Sequence, residues 1–186
     1  MSDIDKLKDL IHPKAIVQLV DGDYGKYKAE LREPKEPDSV LWISGIPENT
    51  IIFNLDDFFP EPDQIFAGNK QECCRSDYVI ISDNNGDRQV VFLEMKSGDD
   101  KNSHIKNQLR GANAFVNYCK AILDSFWQYD FKFSSYVCHY VVCKHTSTKK
   151  PTRTSSNDPA NTDVDNMLKL VGSHTFQFNR LIARRA

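Results

Sequence analysis

The chain has 186 residues, of which 40% are hydrophobic and 27% charged, and its formal net charge at pH 7 is −2. These values are typical of one globular domain with a buried core, and we expect residues 1–186 to form a single domain. No apolar run approaches the roughly 18–20 residues of a membrane-spanning helix, and the polar N-terminus lacks the apolar core of a secretory signal. Because the five cysteines lack the spacing of a disulfide framework, we expect reduced thiols in a cytoplasmic protein without membrane contact.

The first part of the chain predicts a short helix followed by strands. Residues 2–11 place apolar side chains at helical spacing, and His12-Pro13 ends the pattern. Strand-like segments follow, separated by turn-prone residues: AIVQLV (15–20), YKAELRE (27–33), SVLWIS (39–44) and IIFNL (51–55). The first two of these are expected to pair as a hairpin.

The middle of the chain predicts a second hairpin and a long helix. DYVIIS (77–82) and QVVFLEM (89–95) are joined across Asn85-Gly86, and Asn-Gly is the strongest short hairpin signal. Both segments are apolar on both faces, which is typical of central, covered strands. Residues 103–126 repeat apolar side chains at three- and four-residue spacing and predict an amphipathic helix of about six turns.

The last part of the chain predicts two strands separated by a loop and a short helix. The segments are FKFSSYVCHYVVCK (131–144, strand), about 146–165 (polar loop), VDNMLKLV (164–171, helix) and HTFQFNRLI (174–182, strand). The order of all these elements favours an α/β domain in which a mixed β-sheet is covered on both faces.

Positive charge is concentrated near the C-terminus. Residues 144–186 contain eight Lys or Arg against three Asp. A basic segment beside an acidic body can contact the phosphate backbone of a nucleic acid, and Lys149, Lys150 and Arg153 are the candidates for that contact. A solvated loop that binds nothing has the same composition, so both interpretations stay open.

The hairpin predicted around Asn85-Gly86 brings two acidic residues face to face. Counting outward from the turn pairs Asp77 with Glu94, and Lys96 projects from the same side two residues further on. Directly opposed side chains lie about 5 Å apart, where like charges destabilise a sheet. A divalent cation with oxygen ligands would compensate them, and so would a simple salt bridge from Lys96.

Residues 74–126 resemble a known nuclease family. Asp77, then sixteen residues, then Glu94-Met95-Lys96 is similar to the D…(D/E)XK signature of the PD-(D/E)XK nuclease superfamily, which includes restriction enzymes and bacterial defence effectors. VVFLEMKSG resembles the apolar strand that carries its second motif. HIKNQL, beginning at His104, resembles the start of the following helix in several bacterial members.

The resemblance implies a restriction-endonuclease-like core over about residues 39–143, with a mixed β-sheet flanked by helices. Asp77, Glu94 and the Met95 carbonyl oxygen would bind Mg²⁺ or Mn²⁺, and Lys96 would position the attacking water. Gln108 would orient Lys96 or contact the substrate phosphate. The expected activity is metal-dependent hydrolysis of phosphodiester bonds, with DNA favoured over RNA and defence against foreign nucleic acid as one role.

Two departures from the family pattern leave an alternative open. Ser76 replaces the proline of the first motif, and no early glutamate stands out, although Glu30, Glu48 and Glu72 are possible. The chain could therefore be a catalytically weak nuclease-fold module that binds nucleic acid, a protein partner or a second copy of itself.

Two further groups of residues are candidates for a catalytic or metal site. Helical spacing places Gln108 on a stripe with His104 and Gly111, beside the row of apolar residues, so Gln108 can face the acids. Cys138, His139, Cys143 and His145 could suggest zinc. A strand alternates their directions, however, and a tetrahedral site needs convergent ligands, so no zinc site is predicted.

Overall fold

The computed structural model describes residues 2–33, 36–55, 66–96, 101–144 and 161–183. Its helices are α1 (Asp3–Leu10), α2 (Asn102–Trp127) and α3 (Phe178–Leu181). Its strands are β1 (Val20–Asp21), β2 (Tyr27–Glu33), β3 (Glu36–Ile46), β4 (Thr50–Asn54), β5 (Tyr78–Asn84), β6 (Asp87–Lys96), β7 (Val137–Lys144), β8 (Leu168–Val171) and β9 (Thr175–Gln177). The sequence predicted most of these elements, with the exceptions described below.

Helix α1 begins where the local sequence caps it. The Ser2 hydroxyl accepts from the Asp5 backbone N–H, and the Asp5 carboxylate accepts from the Ser2 N–H at 2.8 Å. This reciprocal pair satisfies two backbone donors that the first helical turn would otherwise leave open. The predicted N-terminal helix is confirmed.

A five-stranded mixed sheet, in the order β4-β5-β6-β7-β8, forms the centre of the fold. Strands β4, β5 and β6 are antiparallel neighbours, whereas β6, β7 and β8 are parallel. Helix α2 makes the crossover from β6 to β7, as a parallel connection requires. The predicted hairpin register is confirmed, with Ile80 opposite Val91 and Tyr78 opposite Leu93. Asn85 and Gly86 both have positive φ, which is the conformation of a two-residue hairpin turn.

The two faces of this sheet are covered differently. On one face, α1 and α2 bury the apolar side chains of β4, β5 and β6, including Val79 and Phe92, in one core. On the other face, Ile80, Leu93 and Met95 pack against a second mixed sheet of order β1-β2-β3-β9 and against α3. The chain is thus an α/β protein with two mixed sheets. We call the first face the helix side and the second the sheet side.

Four predicted segments differ from the structure. In FKFSSYVCHYVVCK, residues 133–135 form a 3-10 turn and the strand begins only at Val137. Within AIVQLV, Ala15 ends a 3-10 turn that starts at Pro13, and only Val20 lies in a strand. VDNMLKLV is predicted as a helix, but only residues 164–166 form a 3-10 turn, and residues 168–171 pair with β7 and bury alternate leucines. In HTFQFNRLI the strand ends at Gln177, where α3 begins. None of the helices in the described ranges combines the length and apolar content that spanning a bilayer requires.

Candidate functional site

Asp77, Glu94 and Lys96 meet at the open end of the β5–β6 hairpin, on the helix side. Two hydrogen bonds tie the strands there. The Asp77 backbone N–H donates to Oε2 of Glu94 at 3.2 Å, and the Met95 backbone N–H donates to Oδ2 of Asp77 at 2.6 Å. Each carboxylate therefore accepts from the backbone of the opposite strand. The predicted register is what brings the two acids together.

The two carboxyls are buried, which strongly affects their charge. Asp77 is 4% exposed and Glu94 is 0% exposed. Burial raises the pKa of Glu94 to about 7, although the Lys96 ammonium, with Nζ 2.6 Å from Oε1 of Glu94, opposes that rise. Burial also raises the pKa of Asp77 well above its ordinary value, and the negative charge of Glu94 adds to that effect. Without a metal ion the pair therefore tends to keep a proton near neutral pH.

Glu33 is a third acidic residue beside this pair, and the sequence reasoning missed it. Its negative charge contributes to the raised pKa of both Asp77 and Glu94. Glu33 ends β2, and the Tyr78 phenol fixes that end by donating to the Arg32 carbonyl at 2.7 Å. The sequence could have indicated Glu33, because alternation along YKAELRE puts it on the same face of the strand as Leu31, which is buried.

The three possible early glutamates named above have other partners or positions. Glu30 forms an ion pair with Arg32. Glu48 precedes β4 at the end that pairs with Ser82, close to the turn of the hairpin and far from its open end. Glu72 accepts from the backbone N–H groups of an exposed loop. Glu33, and none of these three glutamates, is the residue whose charge acts on both Asp77 and Glu94.

Gln108 lies on helix α2, one turn before the residue at which this helix contacts the segment leading into Asp77. Its neighbours Ile105 and Leu109 are fully buried in the helix-side core, which fixes the rotation of the helix. Oε1 of Gln108 is buried and has no hydrogen-bond partner among the described residues. One turn later, a Cβ placed on Gly111 would lie 1.6 Å from the Cys74 carbonyl oxygen. The helix therefore lies directly against the segment that leads into Asp77.

The available ligands are oxygen atoms, which suit a hard divalent cation. Besides the two carboxylates, the Met95 carbonyl is on the edge of β6 that faces Asp77, because a strand residue directs its N–H and C=O to the same side. Oε1 of Glu94 contacts Lys96 but makes no hydrogen bond of normal geometry. Within the described ranges, however, no three His, Cys, Asp or Glu side chains are close enough to hold a metal ion alone. Water would have to complete the coordination.

Other predicted candidates are placed as follows. Both ring nitrogens of His139 contact amide oxygens, Nδ1 with Asn161 at 2.9 Å and Nε2 with Gln89 at 2.7 Å. His139 is thus held inside the sheet-side layer by polar contacts of its own. His145 and the predicted nucleic-acid contacts lie outside the described residues: Lys149, Lys150 and Arg153.

Comparisons of the chain with protein-family models, with curated proteins and with solved structures return no match. The chemical arguments for a function therefore come from the side chains at the open end of the hairpin. These are the buried pair Asp77 and Glu94 and the cation Lys96, with Glu33 near enough for its charge to act on both acids.

Proposed function

We propose that the chain is a metal-dependent nuclease of the PD-(D/E)XK type that hydrolyses phosphodiester bonds, with DNA as the favoured substrate. One observation carries the proposal: Asp77 and Glu94 are both buried and share the open end of one hairpin, and Lys96 is in contact with Glu94. Two acids in such a place destabilise the metal-free fold, and a function that needs a divalent cation explains their presence.

Each side chain has a chemical role in this proposal. Asp77, Glu94 and the Met95 carbonyl would hold Mg²⁺ or Mn²⁺, which when bound orients a phosphate and lowers the pKa of a bound water. Lys96 would hold the attacking water and offset negative charge that develops on the phosphate oxygens. The Gln108 amide would donate to a phosphate oxygen or orient Lys96, and its buried carbonyl oxygen has no other partner among the described residues.

The sheet topology supports these roles. The acids are at the carboxyl-terminal end of β6, where the parallel neighbour β7 also ends, so a substrate would reach them at this edge of the sheet. In hydrolysis the water oxygen would attack phosphorus and give up one proton to solvent, while the bond from phosphorus to the leaving oxygen would break and that oxygen would take a proton from solvent. A restriction-endonuclease-like core, with the early glutamate supplied by Glu33 on a strand, fits this arrangement.

A cleavage assay with matched variants tests the proposal. The purified chain is incubated with supercoiled DNA, linear DNA and RNA in Mg²⁺ or Mn²⁺. We expect Glu94→Gln and Lys96→Ala to lower the cleavage rate by at least about 100-fold, because the first removes a metal ligand and the second removes the cation that holds the attacking water. Glu48→Gln makes the same chemical change at the other end of the hairpin and should leave the rate unchanged. Cleavage at an unchanged rate in Glu94→Gln or Lys96→Ala would contradict the assignment of these residues to a nuclease active site.

One observation favours a second candidate, a binding module that does not cut. Lys96 already compensates Glu94, and in the described part of the chain no third acid completes a metal-binding group. Calorimetry separates the candidates. Absence of Mg²⁺ and Mn²⁺ binding, together with an affinity for nucleic acid that Asp77→Asn leaves unchanged, would favour the module.

A further inference from the structure

A small cavity lies on the sheet side, at the turn end of the β5–β6 hairpin. Its volume is about 230 Å³, and its walls come from β5, β6, α3 and the segment that ends β3. Ser82 and Gln89, which are opposite each other in the hairpin register, both line it. Along the extended backbone Ser82 is about 17 Å from Asp77, and alternation puts the two side chains on opposite faces of the sheet. The cavity is therefore separate from the acidic pair.

Ser82 brings an unused hydrogen-bonding group to this cavity. The residue is 1% exposed, and its Oγ has no hydrogen-bond partner among the described residues. Ile80, two residues earlier, packs in the sheet-side core, so alternation directs the Ser82 side chain to the side on which the cavity lies. A buried hydroxyl without a partner destabilises the fold, and a ligand that pairs with it would recover that loss.

Gln89 is fixed in place opposite Ser82. Its Nε2 donates to Oδ1 of Asp87 at 2.6 Å, and its Oε1 contacts Nε2 of His139 at 2.7 Å. The other ring nitrogen of His139 contacts Oδ1 of Asn161 at 2.9 Å. Both ends of the Gln89 amide thus have partners within the protein, whereas the Ser82 hydroxyl has none among the described residues. This part of the lining is formed before a ligand arrives, as small-molecule sites usually are.

The buried part of the lining suits a flat, uncharged ligand. Among the described lining residues, the buried ones are all uncharged: Pro47, Ser82, Gln89, Phe178 and Ile182. A charged group held against them would lose its water without gaining a counter-ion. A sugar has hydroxyl groups on every side and would leave some of them unpaired against the three apolar residues. A heteroaromatic ring instead has apolar faces and a polar edge, so it matches both kinds of lining.

The rim and the volume define the ligand further. Asn84 and Asn179 are exposed at the rim, and an amide both donates and accepts hydrogen bonds. Lys26 is also exposed there, and Asp87 is half-buried and accepts from Gln89. The volume has room for about eight water molecules at roughly 30 Å³ each, or for a fused ring of about ten non-hydrogen atoms. A purine base has this size and a polar edge of donors and acceptors.

We propose that this cavity binds a free purine base, with the Ser82 hydroxyl bonded to the polar edge of the ring and Pro47 and Phe178 packed against it. The bound base would join two layers of the fold, because Ser82 lies in the five-stranded sheet and Phe178 begins α3 on the other side of the cavity. The inference does not rest on the proposed nuclease function, since the two sites share no residue.

Calorimetry of the full chain with adenine, hypoxanthine and glucose tests the proposal. We expect at least one of the two purines to bind with a dissociation constant below about 1 mM, and glucose to give no measurable binding. A saturating purine should raise the midpoint of thermal unfolding by about 2–5 °C, because it binds only the folded chain.

Ser82→Ala separates binding from folding. Removing the hydroxyl should weaken purine affinity about fivefold to twentyfold, yet the ligand-free variant should unfold no more easily, because the hydroxyl has no partner to lose. Ser39→Ala is the matched control, since Ser39 is also buried with an unpartnered Oγ but does not line the cavity. It should leave the affinity unchanged. Asn179→Ala, at the exposed rim, should weaken binding about threefold and gives a second variant that does not disturb the core.

Each result decides the inference. Selective loss of purine affinity in Ser82→Ala and Asn179→Ala would support it. It is overturned if neither purine binds, if glucose binds as well as the purines do, or if Ser82→Ala and Asn179→Ala retain the affinity of Ser39→Ala. Equal affinity in these variants would mean that the purine stacks on an aromatic side chain elsewhere on the surface.

Discussion

The backbone N–H of Asp77 donates to Oε2 of Glu94 at 3.2 Å, which ties the entry of one strand to the buried carboxylate at the end of the other. Burial raises the pKa of Glu94 from 4.5 to about 7. A group whose pKa is raised on folding stabilises the fold below its unfolded-state pKa, and this stabilisation is lost as the pH rises through the folded-state pKa. The metal-free chain should therefore lose stability between about pH 5 and pH 8, by a few kcal/mol at most.

Urea unfolding in EDTA across this pH range measures the effect. Glu94→Gln cannot ionise, so its free energy of unfolding should change less with pH than that of the unmodified chain. Added Mn²⁺ should stabilise the unmodified chain more at the upper end of the range, where the carboxylates are free to bind it. Glu48→Gln serves as the control. An equal pH dependence in Glu94→Gln and Glu48→Gln would contradict the assignment of the effect to Glu94.

Glu33→Gln should move the same transition to lower pH. The negative charge of Glu33 raises the pKa of Asp77 and of Glu94, so its removal lets both carboxyls ionise more easily. We expect the midpoint of the stability loss to fall by about a few tenths of a pH unit. Glu30→Gln makes the same change on the same strand, at a residue that pairs with Arg32 instead. A midpoint that moves equally in both variants would show a general charge effect and not a local one.

Local signals explain why the site hairpin was predictable. The Asn85-Gly86 turn needs positive φ at both positions, and these residue types adopt it readily, so the turn fixed the register. The register then placed Asp77 and Glu94 together. Helix α2 was predictable for the same kind of reason, because its apolar spacing is regular over many turns.

The parts that were not predicted depend on contacts between distant segments. Residues 168–171 form β8 because they pair with the edge of β7. The sequence of the segment alone does not show that this edge lies beside it. Leu168 and Leu170 suit a helix or a strand, and burial against the second sheet selects the strand. Glu33 was missed for a similar reason, since only the packing of β2 under Tyr78 brings it near the acids.

Gly111→Ala should destabilise the chain by about 2 kcal/mol or more, although alanine has the higher helix propensity. The added Cβ would lie 1.6 Å from the backbone carbonyl oxygen of Cys74, so the helix or the segment before Asp77 must move. Thermal or urea unfolding measures the loss. The displacement should also reduce cleavage by the proposed nuclease, because it shifts the segment that leads into Asp77.

Ala114 offers a matched control on the same helix, since its side chain is exposed. Ala114→Gly should cost about 1 kcal/mol from helix propensity alone. If Gly111→Ala proved as stable as the unmodified chain, the close contact between α2 and Cys74 would be wrong.

Asp3→Ala should destabilise the chain by about 2–4 kcal/mol, because Asp3 accepts from two tyrosines that are distant in sequence. Tyr129 donates to Oδ1 at 2.8 Å and Tyr136 donates to Oδ2 at 3.1 Å, and both Asp3 and Tyr136 are only 6% exposed. Removing the carboxylate leaves a buried phenol without its acceptor. The measurement is the free energy of unfolding in urea.

A double-mutant cycle identifies the cause of that loss. Tyr136→Phe should cost less in the Asp3→Ala background than in the unmodified chain, because the phenol has no acceptor left to lose. Asp9→Ala, an exposed position on the same helix, should change stability by less than about 0.5 kcal/mol. Additive effects of Asp3→Ala and Tyr136→Phe would mean that the hydrogen bond from Tyr136 to Asp3 contributes nothing to docking α1 on the sheet.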